Sequence, residues 1–309
     1  MKLIVKSFII TAMSIQALSA SASILDLGVA GKFNLFVFEN FSSSNSDVEG
    51  AVAVGGNFNV SNYAVNELNK AVAGNALVVA KNVTFNSGSV KNGNIDTAGA
   101  SSTSSFGFTG AYTNNNPINF ANERTYLQNL SVSLNGLANT GSATYDYSGM
   151  QLTASNSTDA QIFDIDGSFF NSRNNTTFSG FSNGQTIILN ISGTSLKFDG
   201  GTGTDFGKYG FNVIYNFYQA TELNTGSGAT GSILAPLADI TGGYTAINGN
   251  VIGKSWNTNT QVNVNGMFKA TEVAGLTVMP VPEPESYVML LAGLAVVGMF
   301  TRKRASNKS

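Results

Sequence analysis

The sequence predicts an all-β fold: a parallel β-helix, or β-solenoid, with one long α-helix packed alongside. Three observations lead there. Gly-Asn pairs and lone glycines recur at short, nearly constant spacing. A single segment carries a helical leucine stripe. The long middle of the chain has no cysteine and few charges.

Gly56-Asn57, Gly74-Asn75 and Gly93-Asn94 stand 18 and 19 residues apart. Each opens a strand-like run: Phe58-Asn59-Val60, Ala76-Leu77-Val78-Val79 and Ile95. Gly231, Gly249 and Gly266 follow at spacings of 18 and 17, leading into Ser232-Ile233-Leu234-Ala235, Val251-Ile252 and Met267-Phe268. Between them, Gly167 and Gly184 are 17 apart; Gly184 leads into Thr186-Ile187-Ile188-Leu189, and Gly210 into Phe211 to Tyr215. A period of about 17–21 residues without helical patterning is the length of one solenoid rung, too small to bury its own apolar face, so rungs stack. Glycine and asparagine then mark corners that need positive φ, and stacked asparagines can hydrogen-bond in ladders. The competing fold is an antiparallel sandwich, with turns every 8–12 residues or so.

Phe120, Leu127, Leu130, Leu134 and Leu137 step by 7, 3, 4 and 3, which places them on one helical face. Asn116-Pro117 offers a cap and a first-turn proline, and Gly141 a stop, so the helix is expected over about 117–139. The stripe is expected to cover an apolar flank of the solenoid.

The two ends read as sorting segments. Lys2 and Lys6, the apolar run Phe8 to Leu18, and Ala20-Ser21-Ala22 have the form of a signal peptide, helical over 1–22 and cut after Ala22. The expected partners there are the Sec export machinery and signal peptidase. At the other end, alternate prolines in Pro280-Val281-Pro282-Glu283-Pro284-Glu285 hold the chain extended. An apolar segment over 287–301 is expected to be a transmembrane helix, with Arg302-Lys303-Arg304 in the basic tail 302–309. About 14 apolar residues at 1.5 Å each make roughly 21 Å, short of a bilayer core of about 30 Å. The segment therefore reads as a transient anchor.

This tail resembles the PEP-CTERM sorting signal of Gram-negative bacteria, carried by Val281-Pro282-Glu283-Pro284, the apolar helix and Arg302-Lys303-Arg304 in that order. The resemblance implies recognition by an exosortase, a membrane transpeptidase that releases or re-anchors its substrate. Residues 23–279 resemble the choice-of-anchor A domain in four stretches: Gly31 to Phe38, Ser46 to Asn57, Tyr215-Asn216-Phe217 and Gly231 to Ala238. That family implies a surface ectodomain, with adhesins among its members. Relatives often carry a His near the last rung, where this chain reads Asn259-Thr260-Gln261-Val262-Asn263. More loosely, the order of rungs, long helix and further rungs resembles bacterial ice-binding proteins, a likeness of fold that carries no activity with it.

Composition prunes the chemistry. His and Cys are both absent, which removes Ser-His-Asp and Cys-His catalysis and the usual zinc sites. Charged residues make up 11% of the chain, and residues 23–279 hold 10 basic against 16 acidic side chains, so nucleic acid is an unsuitable partner. Carboxylates remain. Asp47-Val48-Glu49-Gly50 places two acids on one strand face, where they could hold Ca²⁺. Gly200 to Asp205, with Asp199 before it, begins like a calcium-binding nonapeptide but occurs once. Asp164-Ile165-Asp166 could act as a carboxylate pair on sugar, or simply end a strand. Trp256, the only tryptophan, is expected to cap the core near the last rungs, the alternative being an exposed contact residue.

The functional expectation is a non-enzymatic exported protein of the cell surface or extracellular matrix, processed by exosortase. It would act as an adhesin or an exopolysaccharide-associated component of biofilm or floc, with an exopolysaccharide or matrix protein as partner. The alternatives are ice binding, for which Thr258 and Thr260 are a candidate pair, and a polysaccharide-active enzyme working with carboxylates alone.

Overall fold

The computed structural model describes residues 22–147, 149–155, 160–172, 175–198 and 209–277. The segment up to residue 21, expected to be a signal peptide, and the tail from residue 278 lie outside them. Among the described residues no helix is long and apolar enough to cross a membrane.

In chain order the elements begin with β1 (Ala22–Leu25), a 3-10 turn (Ala30–Lys32), β2 (Leu35–Val37), β3 (Phe41–Val48), β4 (Val52–Val54), β5 (Phe58–Val65), β6 (Asn75–Val79), β7 (Val83–Val90), β8 (Asn94–Thr97), β9 (Ser101–Phe108) and β10 (Tyr112–Thr113). Next come α1 (Phe120–Asn135), β11 (Ser142–Asp146), β12 (Gly149–Thr153), β13 (Gln161–Ile165), α2 (Gly167–Ser172), β14 (Thr176–Ser179), β15 (Thr186–Ile191), β16 (Ser195–Lys197), β17 (Asn212–Asn216) and β18 (Glu222–Asn224). The chain finishes with β19 (Ala229–Thr230), β20 (Ser232–Thr241), β21 (Ala246–Asn248), β22 (Val251–Asn257), β23 (Gln261–Asn263) and β24 (Thr271–Ala274).

Nineteen of these strands form one curled, nearly closed, solenoid-like sheet whose neighbours are all parallel. The first face runs β13–β15–β17–β20–β22–β2–β4–β6–β8–β10. A second face runs β16–β18–β20–β22–β3–β5–β7–β9. The third runs β19–β21–β23 and continues into the far ends of β3, β5, β7 and β9.

Spatial order differs from chain order. The chain enters mid-stack at β2 and climbs to β10. Helix α1 then carries it back, and it restarts at the opposite end with β13. It descends to β22 and β23, which close against β2 and β3: Leu35 pairs with Val251 and Val48 with Val262.

The rung spacing corrects the sequence expectation. Leu35, Val52, Leu77, Ile95 and Tyr112 occupy one column at steps of 17, 25, 18 and 17. On the other side Gln161, Ile187 and Val213 step by 26 and 26, and Ile233 to Val251 by 18. The 18 residues from Gly56 to Gly74 therefore join two different corners, not two copies of one. Asn57 answers to Asn82, whose backbone N–H donates to the Asn57 side chain, while Asn75 pairs with Asn94.

Asparagine does mark corners, as expected. β3, β5, β7 and β9 each turn from the second face to the third at one unpaired residue: Asn45, Asn62, Ser87 and Ser105, all left-handed with φ of 51°, 48°, 65° and 48°. The Asn62 amide donates to the Asn45 side chain at 3.0 Å. At the previous corner, side chains of Asn40, Asn57 and Asn82 each accept a backbone N–H from the next rung, those of Asn57, Asn82 and Ala100. Backbone groups that no strand pairs are satisfied this way. Gly88, at φ 128°, has no room for a side chain, since a Cβ there would lie 1.9 Å from the Tyr63 carbonyl oxygen.

Apolar residues fill two spaces. Inside the curl an aromatic series runs Trp256–Phe41–Phe58–Phe85–Phe106, with ring centroids 6.0, 4.8, 5.8 and 4.5 Å apart. Each such contact adds about 0.5–1.5 kcal/mol beyond burial. Trp256 is fully buried here, mid-stack between β20 and β3, and caps nothing.

Outside the first face, Leu127, Leu130 and Leu134 of α1 share one buried cluster with Ile188, Ile214, Leu234, Ile252 and Phe36, and the helix lies against β15, β17 and β20. The leucine stripe thus covers a flank as predicted. The helix is shorter than expected, however. Its cap is Asn119, which accepts from the Asn122 N–H, and Gly136 ends it, rather than Asn116 and Gly141.

Candidate binding face

Strand alternation sends every second residue outward. On the first face the outward column reads Asp164, Asn190, Asn216, Leu234, Ile252, Phe36, Ala53, Val78 and Asp96. Its apolar middle lies in the cluster under α1, and its polar members are engaged. Asn216 donates to the Ser131 carbonyl at 2.8 Å and to Asn190 at 2.9 Å; Asn190 donates to the Leu134 carbonyl and to Asp164. Asp96 accepts from the Thr113 hydroxyl and from the backbone of Asn115 and Asn116.

The equivalent column on the second face is Lys197, Asn224, Thr241, Asn257, Ser42, Asn59, Thr84 and Ser102. It is polar in all eight rungs. Seven members are exposed and Ser42 is half-buried. At about 4.8 Å per rung the column is roughly 34 Å long. A second column, Ser44, Ser61, Asn86 and Ser104, flanks it over four rungs.

These twelve residues include one charge, Lys197, at one end. Ser42, Ser44, Asn59, Ser61, Asn257 and Asn259 surround a shallow hollow of about 520 Å³. The arrangement presents a flat grid of hydroxyls and amides, both donors and acceptors, with no nucleophile activated by a base. On the descending half the neighbouring column is charged instead: Glu222 and Asp239, with Lys254 bridging to Asp239 at 2.8 Å.

A larger hollow of about 880 Å³ lies beneath the segment that follows β23. Of its polar lining, Asn212 is already committed, because it donates to the Lys269 carbonyl and accepts the Lys269 N–H.

The sequence-predicted sites fall as follows. Asp47 and Glu49 sit at the rim of the third face. Asp47 accepts from the Gln261 amide at 3.2 Å and Glu49 from the Val264 N–H at 2.9 Å. Burial, then the nearby charges of Glu67 and Glu49, raise the Asp47 pKa, with Gln261 and Lys91 opposing. Glu49 thus holds a rung end to backbone. Among the described residues no group of three acids is placed to hold a metal.

Asp164 and Asp166 are exposed. Asp164 ends the Asn190 ladder, and Asp166 accepts from the Ser168 hydroxyl and N–H, which lowers its pKa at the start of α2. Thr258 and Thr260 are buried and bond to each other inside the curl at 2.9 Å, so they present nothing to ice. Ala22 is the first residue of β1, paired with Ala274. Ala20, Asp199, Asp205, Val281, Pro282, Glu283, Pro284, Arg302, Lys303 and Arg304 lie outside the described residues.

The second-face columns were not singled out in the sequence. Their signal is the alternation in Phe58-Asn59-Val60-Ser61 and Val83-Thr84-Phe85-Asn86; Phe41-Ser42-Ser43-Ser44 keeps only its first apolar residue and Ser101-Ser102-Thr103-Ser104 keeps none.

Residues 26–264 match the family model described as Putative Ice-binding-like adhesive domain. The chain belongs to this family. The ice-binding-like adhesive domain is followed over residues 280–305 by a match to the PEP-CTERM protein-sorting motif. No curated protein and no solved structure matches the chain. The ice-binding-like adhesive family is broader than choice-of-anchor A. Membership makes this a non-catalytic adhesive domain of the surface or extracellular space, and the motif marks it for exosortase processing.

Proposed function

We propose that this is an adhesin of the choice-of-anchor A kind whose second face holds a neutral, hydroxyl-rich polymer, an exopolysaccharide of the surrounding matrix. The observation that carries the reading is the unbroken eight-rung polar column, two columns wide over β3, β5, β7 and β9. Each rung offers a weak hydrogen-bonding site, and a chain molecule laid along the face engages many at once. With few charges on the face, binding tolerates salt. Sec export, signal peptidase cleavage after Ala22 and a transient stay of residues 287–301 in the cytoplasmic membrane would deliver it. Exosortase acting at Val281 to Pro284 would release or re-anchor it.

The test is retention of the full-length protein on matrix polysaccharide. Combining Asn59→Ala, Thr84→Ala and Asn86→Ala is expected to weaken retention about 10- to 100-fold at unchanged thermal stability. Raising salt from about 0.1 to 1 M should change it little. Retention that is unaffected by the triple substitution, or abolished by salt, rejects the reading. The family's description favours ice binding as a second reading. Thermal hysteresis in the wild type that the same triple substitution removes would establish it instead.

A further inference from the structure

The two ends of the stack are finished differently. At the β13 end, β11 and β12 pair antiparallel, β12 pairs with β14, and α2 packs on β16. Phe163 lies against Phe181, and a Cβ at Gly141 would touch the Phe163 ring and the Thr153 carbonyl, so this small sheet closes directly over the last rung.

At the other end β9 pairs with β7 on one side and, among the described residues, with nothing on the other. Ser101 to Ser105 and Gly107 are all exposed, and Tyr112 is 47% exposed. The aromatic series ends here, Phe106 to Phe108 to Tyr112, with centroids 5.7 and 5.1 Å apart.

Natural sheet edges are protected by lysine, proline, bulges or a covering element. β9 reads Ser-Ser-Thr-Ser-Ser-Phe-Gly-Phe, has no charge or proline, and pairs with β7 around a single corner residue. No Asp, Glu, Lys or Arg occurs from Thr97 to Asn122. A chain with an acidic excess therefore presents an end on which like charges do not oppose a second copy.

We propose that this end is a homotypic contact, in which β9 pairs edge to edge and antiparallel with β9 of a second copy across a two-fold axis. Head-to-tail growth is blocked because the β13 end is covered, so the contact closes as a dimer and does not propagate into fibres. Residues 98–116 form the terminal rung, 19 per copy. A stable interface uses about 20–30 residues a side, so the dimer is of modest size and reversible. The inference does not depend on what the second face binds.

The absence of cysteine makes cross-linking a clean test on the full-length chain in detergent micelles. Ser101→Cys, Thr103→Cys and Ser105→Cys are introduced singly, with Thr241→Cys, exposed mid-stack, as control. The expected result is a disulfide dimer from at least one of the β9 positions and none from the control. Sedimentation should show a concentration-dependent dimer that Ser102→Lys with Ser104→Lys weakens about tenfold or more, at unchanged melting temperature. A monomer at about 100 μM, equal cross-linking at Thr241→Cys, or a dimer that survives both lysines overturns the proposal. The last outcome would place the contact elsewhere, for example in residues 287–301.

Discussion

The first and second faces are built on the same parallel register, and β20 and β22 contribute to both. Outward columns run through eight or more rungs on each. One carries Leu234, Ile252, Phe36, Ala53 and Val78 in its middle and is covered by α1; the other carries Asn224, Thr241, Asn257, Ser42, Asn59 and Thr84 and is bare. Backbone geometry does not decide which face becomes a surface. The side chains of a single column do, because an apolar column must find a cover and a hydroxyl column needs only water.

The contrast can be broken most severely on the covered face. Leu130→Ala removes a fully buried anchor of α1 and should cost about 2–5 kcal/mol, read from denaturant unfolding. A loss within experimental error would mean that the helix is not what covers this face. Asn216→Ala comes next. It strips partners from Ser131 and Asn190 in a buried setting, and should cost about 1–3 kcal/mol.

Glu123 sharpens the comparison through pH. Buried beneath the N-terminal segment, it accepts the Ala30 N–H at 2.9 Å. Burial raises its pKa above the ordinary 4.5, with the backbone bonds from Ala30 and Val29 opposing and Asp26 adding to the rise. The folded state therefore binds this proton more tightly than the unfolded state. The stabilisation is full below the unfolded value and is lost as pH rises through the folded one. Glu123→Gln should be at least as stable as wild type near neutrality and lose that advantage below pH 4.5, as melting temperatures across pH would show. The smallest effect belongs to the bare face. Asn59→Ala and Thr84→Val should each move stability by less than about 0.5 kcal/mol.

Much of this contrast was legible in the chain. The leucine stripe identified the helix and its buried side, because a 3.6-residue period has few other uses. Its ends were misplaced since several asparagines upstream can cap. The one chosen, Asn119, is set by Phe120 having to meet Phe36, a tertiary contact. Corner asparagines were legible by type, while rung length was not, because three rungs carry insertions that a uniform period hides. Thr258 and Thr260 continue the inward alternation that runs from Trp256 to Val262, and a two-residue spacing places a pair on one side of a strand without stating whether that side faces in or out. Trp256 lies late in the sequence and mid-stack in space. Nothing local in a strand states which edge it will join.

That mid-stack seam also dictates how the molecule is assembled. Leu35 must wait for Val251, 216 residues later, before its rung gains a neighbour on that side. Contacts so distant in sequence are slow to form, and until they do the edges of β2 and β3 stand open. A truncation before residue 263 therefore damages the N-terminal rungs as directly as the C-terminal ones. The earliest part of the chain to be made is among the last to be finished.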